Sequence, residues 1–222
     1  MLMVPSPNAN TMADLLEQLG GVSPARIRAR PWPATVEDVV AIERRENRLF
    51  ELIDGVLVEK VMGYGESRIA SLLVIAIGDF IAQEDLGVVT GGDGMFRLPN
   101  NLVRIPDVAY VDWEHFPNEQ IPDDPVPAIV PDLAVEVLSA GNTQGEMSRK
   151  LREYFRAGVR LVWFVDPKAK TVTTYTSPSR PKVIDATGTL DGGKVLPGFS
   201  LPVANLLAKR RRSSKSGKRN GR

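Results

Sequence analysis

The sequence predicts a mixed domain of the α/β kind, α+β in the order of its elements, with helices packed around a mixed β-sheet. Three observations predict it. Leu49 to Ile53 and Val56 to Val61 are short apolar runs flanking Asp54-Gly55, a two-residue turn suited to a hairpin. Ile69, Leu72, Leu73, Ala76, Ile77, Phe80 and Ile81 recur at helical spacing, which predicts a long helix over 66–84. A strand–helix–strand unit then runs from Leu133 to Val165. Its helix, over 144–157, opens on Thr143 and Glu146 as a capping box and stops at Gly158.

The remaining elements follow the same logic. Thr11 can cap a short helix through Leu15, Leu16 and Leu19 that ends at Gly20-Gly21. After a break at Pro31-Trp32-Pro33, Thr35 can cap a second helix through Val39, Val40 and Ile42. Strands are predicted over 88–90 and 95–98 on either side of Gly91-Gly92-Asp93-Gly94, and over 107–111 after Pro106. Beyond a Pro-rich loop come strands over 133–138, 161–165 and 171–176, with further short strands after them. There is no internal repeat. Residues 1–33 read as an accessory segment, 34–208 as the main domain and 209–222 as a basic tail.

Composition narrows the chemistry. With no cysteine, a disulfide framework and thiolate-bound zinc are excluded, and a reducing cytoplasm is the expected location. His115 is the single histidine, so any metal must rely mainly on oxygen ligands. No secretory signal is visible, and the most apolar stretch, 69–81, is too short for a membrane span. Eight basic residues and no acids lie in 209–222, leaving the rest of the chain 20 basic against 27 acidic residues. The tail is expected to be disordered, and serves either as a loose phosphate-binding arm or as a solvated terminus.

Three acids interrupt apolar strands. Leu133, Val135 and Val137 share one face of their strand, which leaves Glu136 on the other with Asp132 and Ala134. Asp107 shares a face with Ala109 and Val111, and Glu51 sits between Leu49 and Ile53. Taken singly, such acids are more often exposed or ion-paired. Several converging on one place would repel each other unless a divalent cation neutralised them, and Mg²⁺ suits an all-oxygen site. Lys150 falls at the edge of the stripe made by Met147, Leu151, Tyr154 and Phe155, roughly 80° from its centre at about 100° per residue, so it leans over the sheet. An ammonium there could hold an attacking water and offset charge on a phosphate.

The ordered set Glu51-Leu52-Ile53-Asp54-Gly55, Ile105-Pro106-Asp107-Val108-Ala109-Tyr110-Val111, Glu136-Val137-Leu138-Ser139 and Lys150 to Asp166-Pro167 resembles the Uma-type restriction endonuclease family of the PD-(D/E)XK superfamily, over roughly 35–207. The resemblance implies a restriction-endonuclease-like central mixed sheet flanked by helices. It makes Asp107 the motif aspartate, Glu136 the second acidic ligand and Glu51 a third ligand or metal-shell group. The superfamily's lysine lies two residues beyond the glutamate, where this chain has Leu138, and the family resemblance points instead to Lys150 as a migrated lysine. Many members carry a histidine near the start of the long helix, whereas this chain has Gly65-Glu66-Ser67, so that either Glu66 substitutes as a polar group near the site or that role is absent.

The expected activity is Mg²⁺-dependent (or Mn²⁺-dependent) endonucleolytic hydrolysis of DNA, with Asp107, Glu136, Glu51 and Lys150 at its centre. A non-catalytic nucleic-acid-binding protein on the same fold and a phosphoesterase acting on another substrate are the alternatives. A homodimer is expected by analogy with enzymes that cut both strands of a duplex. Trp32, Trp113 and Trp163 are candidates for base stacking, with core packing the better expectation for Trp163.

Overall fold

The computed structural model describes residues 11–208. The basic tail over 209–222 and the first ten residues of the accessory segment lie outside the described residues, as does the disorder expected of the tail.

Helix α1 (Met12–Gln18) opens on the Thr11 capping box, with Asp14 returning the bond. Strand β1 (Ile27–Arg28) follows, and α2 (Val36–Glu46) opens on a second box made by Thr35 and Asp38. The hairpin of β2 (Phe50–Ile53) and β3 (Val56–Glu59) turns at Asp54-Gly55, with φ of 50° and 77°. Both central residues are left-handed, as a two-residue turn between twisted strands requires. Helix α3 (Tyr64–Ile81) starts two residues before the predicted point. Its Ile69, Leu73, Ile77 and Ile81 are buried against one face of the central sheet.

Strands β4 (Gly87–Thr90), β5 (Phe96–Leu98), β6 (Leu102–Arg104), β7 (Val108–Asp112) and β8 (Leu133–Val137) come next. The Gly-rich turn does not join a hairpin. β4 pairs with β7, whereas β5 pairs with β6 in a different sheet, so 91–94 is a crossover between layers. Helix α4 (Gln144–Ala157) has the predicted bounds and ends on Gly158 at φ 110°. Only half of its capping box forms. Thr143 accepts from the Glu146 amide, but the Glu146 carboxylate turns to Arg26 at 2.9 Å, a charge-assisted partner that outcompetes a backbone amide. Strands β9 (Leu161–Asp166), β10 (Thr171–Tyr175), β11 (Pro181–Asp185), β12 (Thr189–Gly192) and β13 (Leu196–Pro202) and the short α5 (Val203–Leu207) complete the described chain.

The central sheet has the order β11-β10-β9-β8-β7-β4 and is mixed: β8 and β9 are parallel, joined through α4, and every other pair is antiparallel. A second, antiparallel sheet has the order β1-β3-β2-β6-β5. Alternation on β8 sorts two cores. Leu133, Val135 and Val137 pack with α3, while Ala134 packs with Met147, Leu151 and Tyr154 of α4. Trp163 is fully buried and stacks on Phe199, and the Trp113 indole donates to Asp85; Trp32 stays exposed. Among the described residues no helix is long and apolar enough to cross a membrane.

The accessory segment is bound to this body rather than trailing from it. β1 pairs with β3, Leu19 and Val22 are buried with Ile53, Val56 and Val58, and Thr143 donates to the Gly20 carbonyl at 2.5 Å. Gly145 is required there, because a Cβ on it would stand 2.5 Å from the Gly20 carbonyl oxygen. Helix propensity alone would reward Gly145→Ala by up to about 1 kcal/mol. The backbone contact reverses the sign, and the substitution is expected to destabilise the protein by about 1–3 kcal/mol in urea unfolding. An unchanged or raised midpoint would refute this packing.

Candidate active site

The site is built where the two sheets and α4 meet. Register sets the first two groups: Ala109 lies opposite Ala134, and the Asp107 amide donates to the Val135 carbonyl. Asp107 and Glu136 therefore project from neighbouring strands on the α4 face. Asp107 accepts the Val137 amide on Oδ2 at 2.6 Å and the Lys60 ammonium on Oδ1 at 2.5 Å. Lys60 Nζ is also 3.8 Å from Glu136 Oε2. Glu136 in turn holds Lys150 Nζ, 3.1 Å from each carboxylate oxygen, and accepts from the Tyr154 hydroxyl at 2.5 Å.

Glu51 is joined to this pair through Lys150. Its Oε1 is 3.1 Å from Lys150 Nζ and accepts the Ile105 amide at 3.3 Å, and its Oε2 accepts from Arg104 Nη1 at 2.7 Å. Arg104 continues to Glu153 through a second, very short bond. The outcome is a buried ladder of alternating charge: Glu153, Arg104, Glu51, Lys150, Glu136, Lys60, Asp107. Arg149 caps its outer end, pairing with Glu153 at 2.7 Å. All four acids and bases that the sequence singled out (Asp107, Glu136, Glu51 and Lys150) lie in it, each buried.

The electrostatics follow from the ladder. Burial pushes Glu51 up, but the charges of Lys150 and Arg104 outweigh it and hold its carboxyl well below the usual range. Burial works against the Lys150 ammonium, yet Glu136 and Glu51 keep it charged, raising it above an ordinary lysine. Asp107 moves the other way. Burial raises it, Lys60 opposes this, Glu136 adds like-charge repulsion, and the net shift is upward. Burial and the neighbouring Glu136 raise the Tyr154 hydroxyl too, so it remains a donor.

Sequence reasoning missed Lys60, Arg104, Tyr154's hydroxyl role and Arg26. Lys60 continues the alternation of Val56 and Val58, and Glu51 lies opposite Val58, so an apolar face ending in a lysine was the available signal. Arg104 shares its face with Leu102 in the same way, since Val103 between them is the residue opposite Leu52. Arg26, which donates to the Glu59 carbonyl and to Glu146, had no such signal. It lines a narrow cleft together with Lys60, Met62, Glu66, Asp107 and Lys150, so Glu66 does stand beside the site. His115 does not. It pairs with Asp132 at the opposite end of β8, where Asp132 also holds Arg160 and the Asp112 amide. Among the described residues no three or more carboxylate or imidazole side chains cluster as a metal site.

A mixed sheet flanked by helices, with an acidic pair on neighbouring strands and an ammonium between them, defines a protein of the restriction-endonuclease-like fold. The chain belongs to the Uma2 family, whose profile, described as "Putative restriction endonuclease", matches residues 36–204. A solved structure described as a "putative nuclease belonging to DUF820", from Anabaena variabilis, aligns with a TM-score of 0.69 at 20% identity, covering 79% of this chain and 98% of that one. That likeness establishes the fold. No curated protein matches the chain.

Removing Glu51 leaves Arg104 and Lys150 short of a partner in a buried position. Glu51→Ala is expected to cost about 3–5 kcal/mol at neutral pH, read by urea unfolding. Because Glu51 titrates below its usual range, this contribution is complete above about pH 4.5 and fades as the pH falls from there. The gap between the two proteins should narrow at pH 3.5; a gap that is constant, or that widens, would contradict the assignment.

Proposed function

We propose that the chain is an endonuclease that hydrolyses phosphodiester bonds in DNA, using Mg²⁺ or Mn²⁺ held by Asp107 and Glu136. The observation that carries the reading is the meeting of these two carboxylates, from adjacent strands, around one ammonium at the cleft. Membership of a family described as restriction endonucleases supports it.

The donor set fits a hard divalent ion. Two carboxylates lie side by side with a positive charge already between them. Mg²⁺ is commonly held by one or two carboxylates, with water and substrate oxygens as its other ligands. Glu136 keeps Oε2 within 3.8 Å of Lys60 at the cleft, whereas Glu51 is fully buried and held between Arg104 and Lys150. We assign Glu51 to the shell around the metal ligands. When bound, the ion supplies a polarised phosphate oxygen and a water of lowered pKa.

The chain's own residues do the rest. Lys150 and Tyr154 hold the Glu136 carboxylate in place beside Lys60 and Asp107. Arg104, through Glu51, keeps Lys150 in place. Lys60 and Lys150 both line the cleft, but Lys150 is held by Glu51 and by both oxygens of Glu136, so Lys60, the more exposed of the two, is the ammonium that contacts the phosphate and offsets charge developing on it. Arg26 adds a second positive group at the same opening.

The test is cleavage of plasmid and of single-stranded DNA with Mg²⁺, Mn²⁺ or EDTA by the wild type and by Asp107→Ala and Lys60→Ala, with thermal melts as the folding control. Wild-type cleavage should require metal, Asp107→Ala should abolish it, and Lys60→Ala should lower kcat by about 10²-fold while retaining Mn²⁺ binding. Metal-independent cutting, or cutting by Asp107→Ala at the wild-type rate, would sink the reading.

A further inference from the structure

A second opening adjoins the cleft. Glu66, Ser139 and Asn142 line both it and the carboxylate site, so the two are continuous. It is a cavity of about 690 Å³ at the carboxyl ends of the parallel strands β8 and β9. Crevices at that end of an open sheet are where ligands bind in such folds, and its volume is that of a small-molecule site. Its floor is apolar, made by Met147 and Leu151 of α4 and by the rings of Phe164 and Tyr175, which pack edge to face at 5.2 Å. Gln144, Ser148 and Lys168 supply polar groups around it.

This floor has nothing to offer an intact duplex, which presents phosphates and sugars and keeps its base faces stacked. An unpaired base matches it, because every base has a π-face to lay against aromatic and apolar side chains and polar edges for amide and hydroxyl groups.

The geometry points to a nucleobase subsite: the cavity takes an unpaired base of the DNA strand whose phosphodiester lies at Asp107 and Lys60, which makes single-stranded DNA the substrate class. The inference rests on the nuclease reading above and adds the form of nucleic acid to it.

The test is fluorescence anisotropy of the full chain in EDTA, at one fixed salt concentration, with single-stranded DNA, duplex DNA and single-stranded RNA of the same length and sequence. A 2-aminopurine reporter in the DNA strands reads base stacking. The subsite requires single-stranded DNA to bind about tenfold or more tightly than the duplex, with the reporter quenched. Tyr175→Ala, and Ser148→Trp to fill the cavity, should each remove that preference, and their melts show whether the fold survives. Equal affinity for single strand and duplex with no quenching would overturn the subsite, and would leave the nuclease reading intact if plasmid is still cut with Mg²⁺. Tighter binding of RNA than of DNA would overturn the DNA assignment. Preferential, quenched binding by a protein that cuts no DNA with any metal would support the subsite and sink the nuclease reading instead.

Discussion

The interaction on which the structure depends is the buried ladder of alternating charge from Glu153 to Asp107. Its members come from both sheets, from α4 and from the turn after β3, so it fixes how these layers sit together. A ladder of this kind is a poor source of net stability, since well-packed apolar residues often do as well or better. Losing one rung, however, leaves a charge stranded at a cost of about 3–5 kcal/mol, against a total stability of about 5–15 kcal/mol for a typical domain. Such an arrangement makes physical sense when its purpose is to hold particular carboxylates ionised in a dry place. At the open end, burial and the neighbouring Glu136 shift Asp107 upward against the pull of Lys60, whereas Glu51 is shifted downward. Local conflict of this sort is characteristic of a functional site.

The architecture explains why the open end faces a cleft. The β8–α4–β9 unit brings the carboxyl ends of two parallel strands beside the start of α4, and the loop after β8 carries Ser139 and Asn142 to that edge. The Asn142 carbonyl accepts both the amide and the hydroxyl of Ser139, which tightens this loop. The accessory segment closes the other side. Its Gly20 lies on Gly145, and its Arg26 reaches the cleft although it precedes the part of the chain matched by the family profile. The segment thus contributes to the site and not only to packing.

Much of this was legible in the sequence because it is local. Thr35 with Asp38, Asp54-Gly55, and Thr143 with Gly158 are punctuation whose physics acts within a few residues. Alternation put Glu136 with Ala134 and Asp107 with Ala109, and Lys150 leaning onto the sheet followed from its angle on the helix; that those two faces are one depends on the pairing of Ala109 with Ala134. What was not legible depends on long-range pairing. Nothing near residues 91–94 says that β4 and β5 enter different sheets. Lys60 and Arg104 lay on visibly apolar faces, but only the pairing of β3, β2 and β6 brings them to Glu51 and on toward the acidic pair. Glu146 looked like half of a capping box, and a guanidinium 120 residues away claimed it.

The central claim is that Asp107 and Glu136 form a divalent-metal seat whose charge is balanced by Lys60 when no ion is bound. Anomalous diffraction from crystals soaked in Mn²⁺ tests it directly. The account expects an anomalous peak within bonding distance of both carboxylates, with the Lys60 ammonium moved away from Asp107. A peak elsewhere in the molecule, or an unmoved Lys60 with no peak at this pair in crystals that hold Mn²⁺, would contradict it.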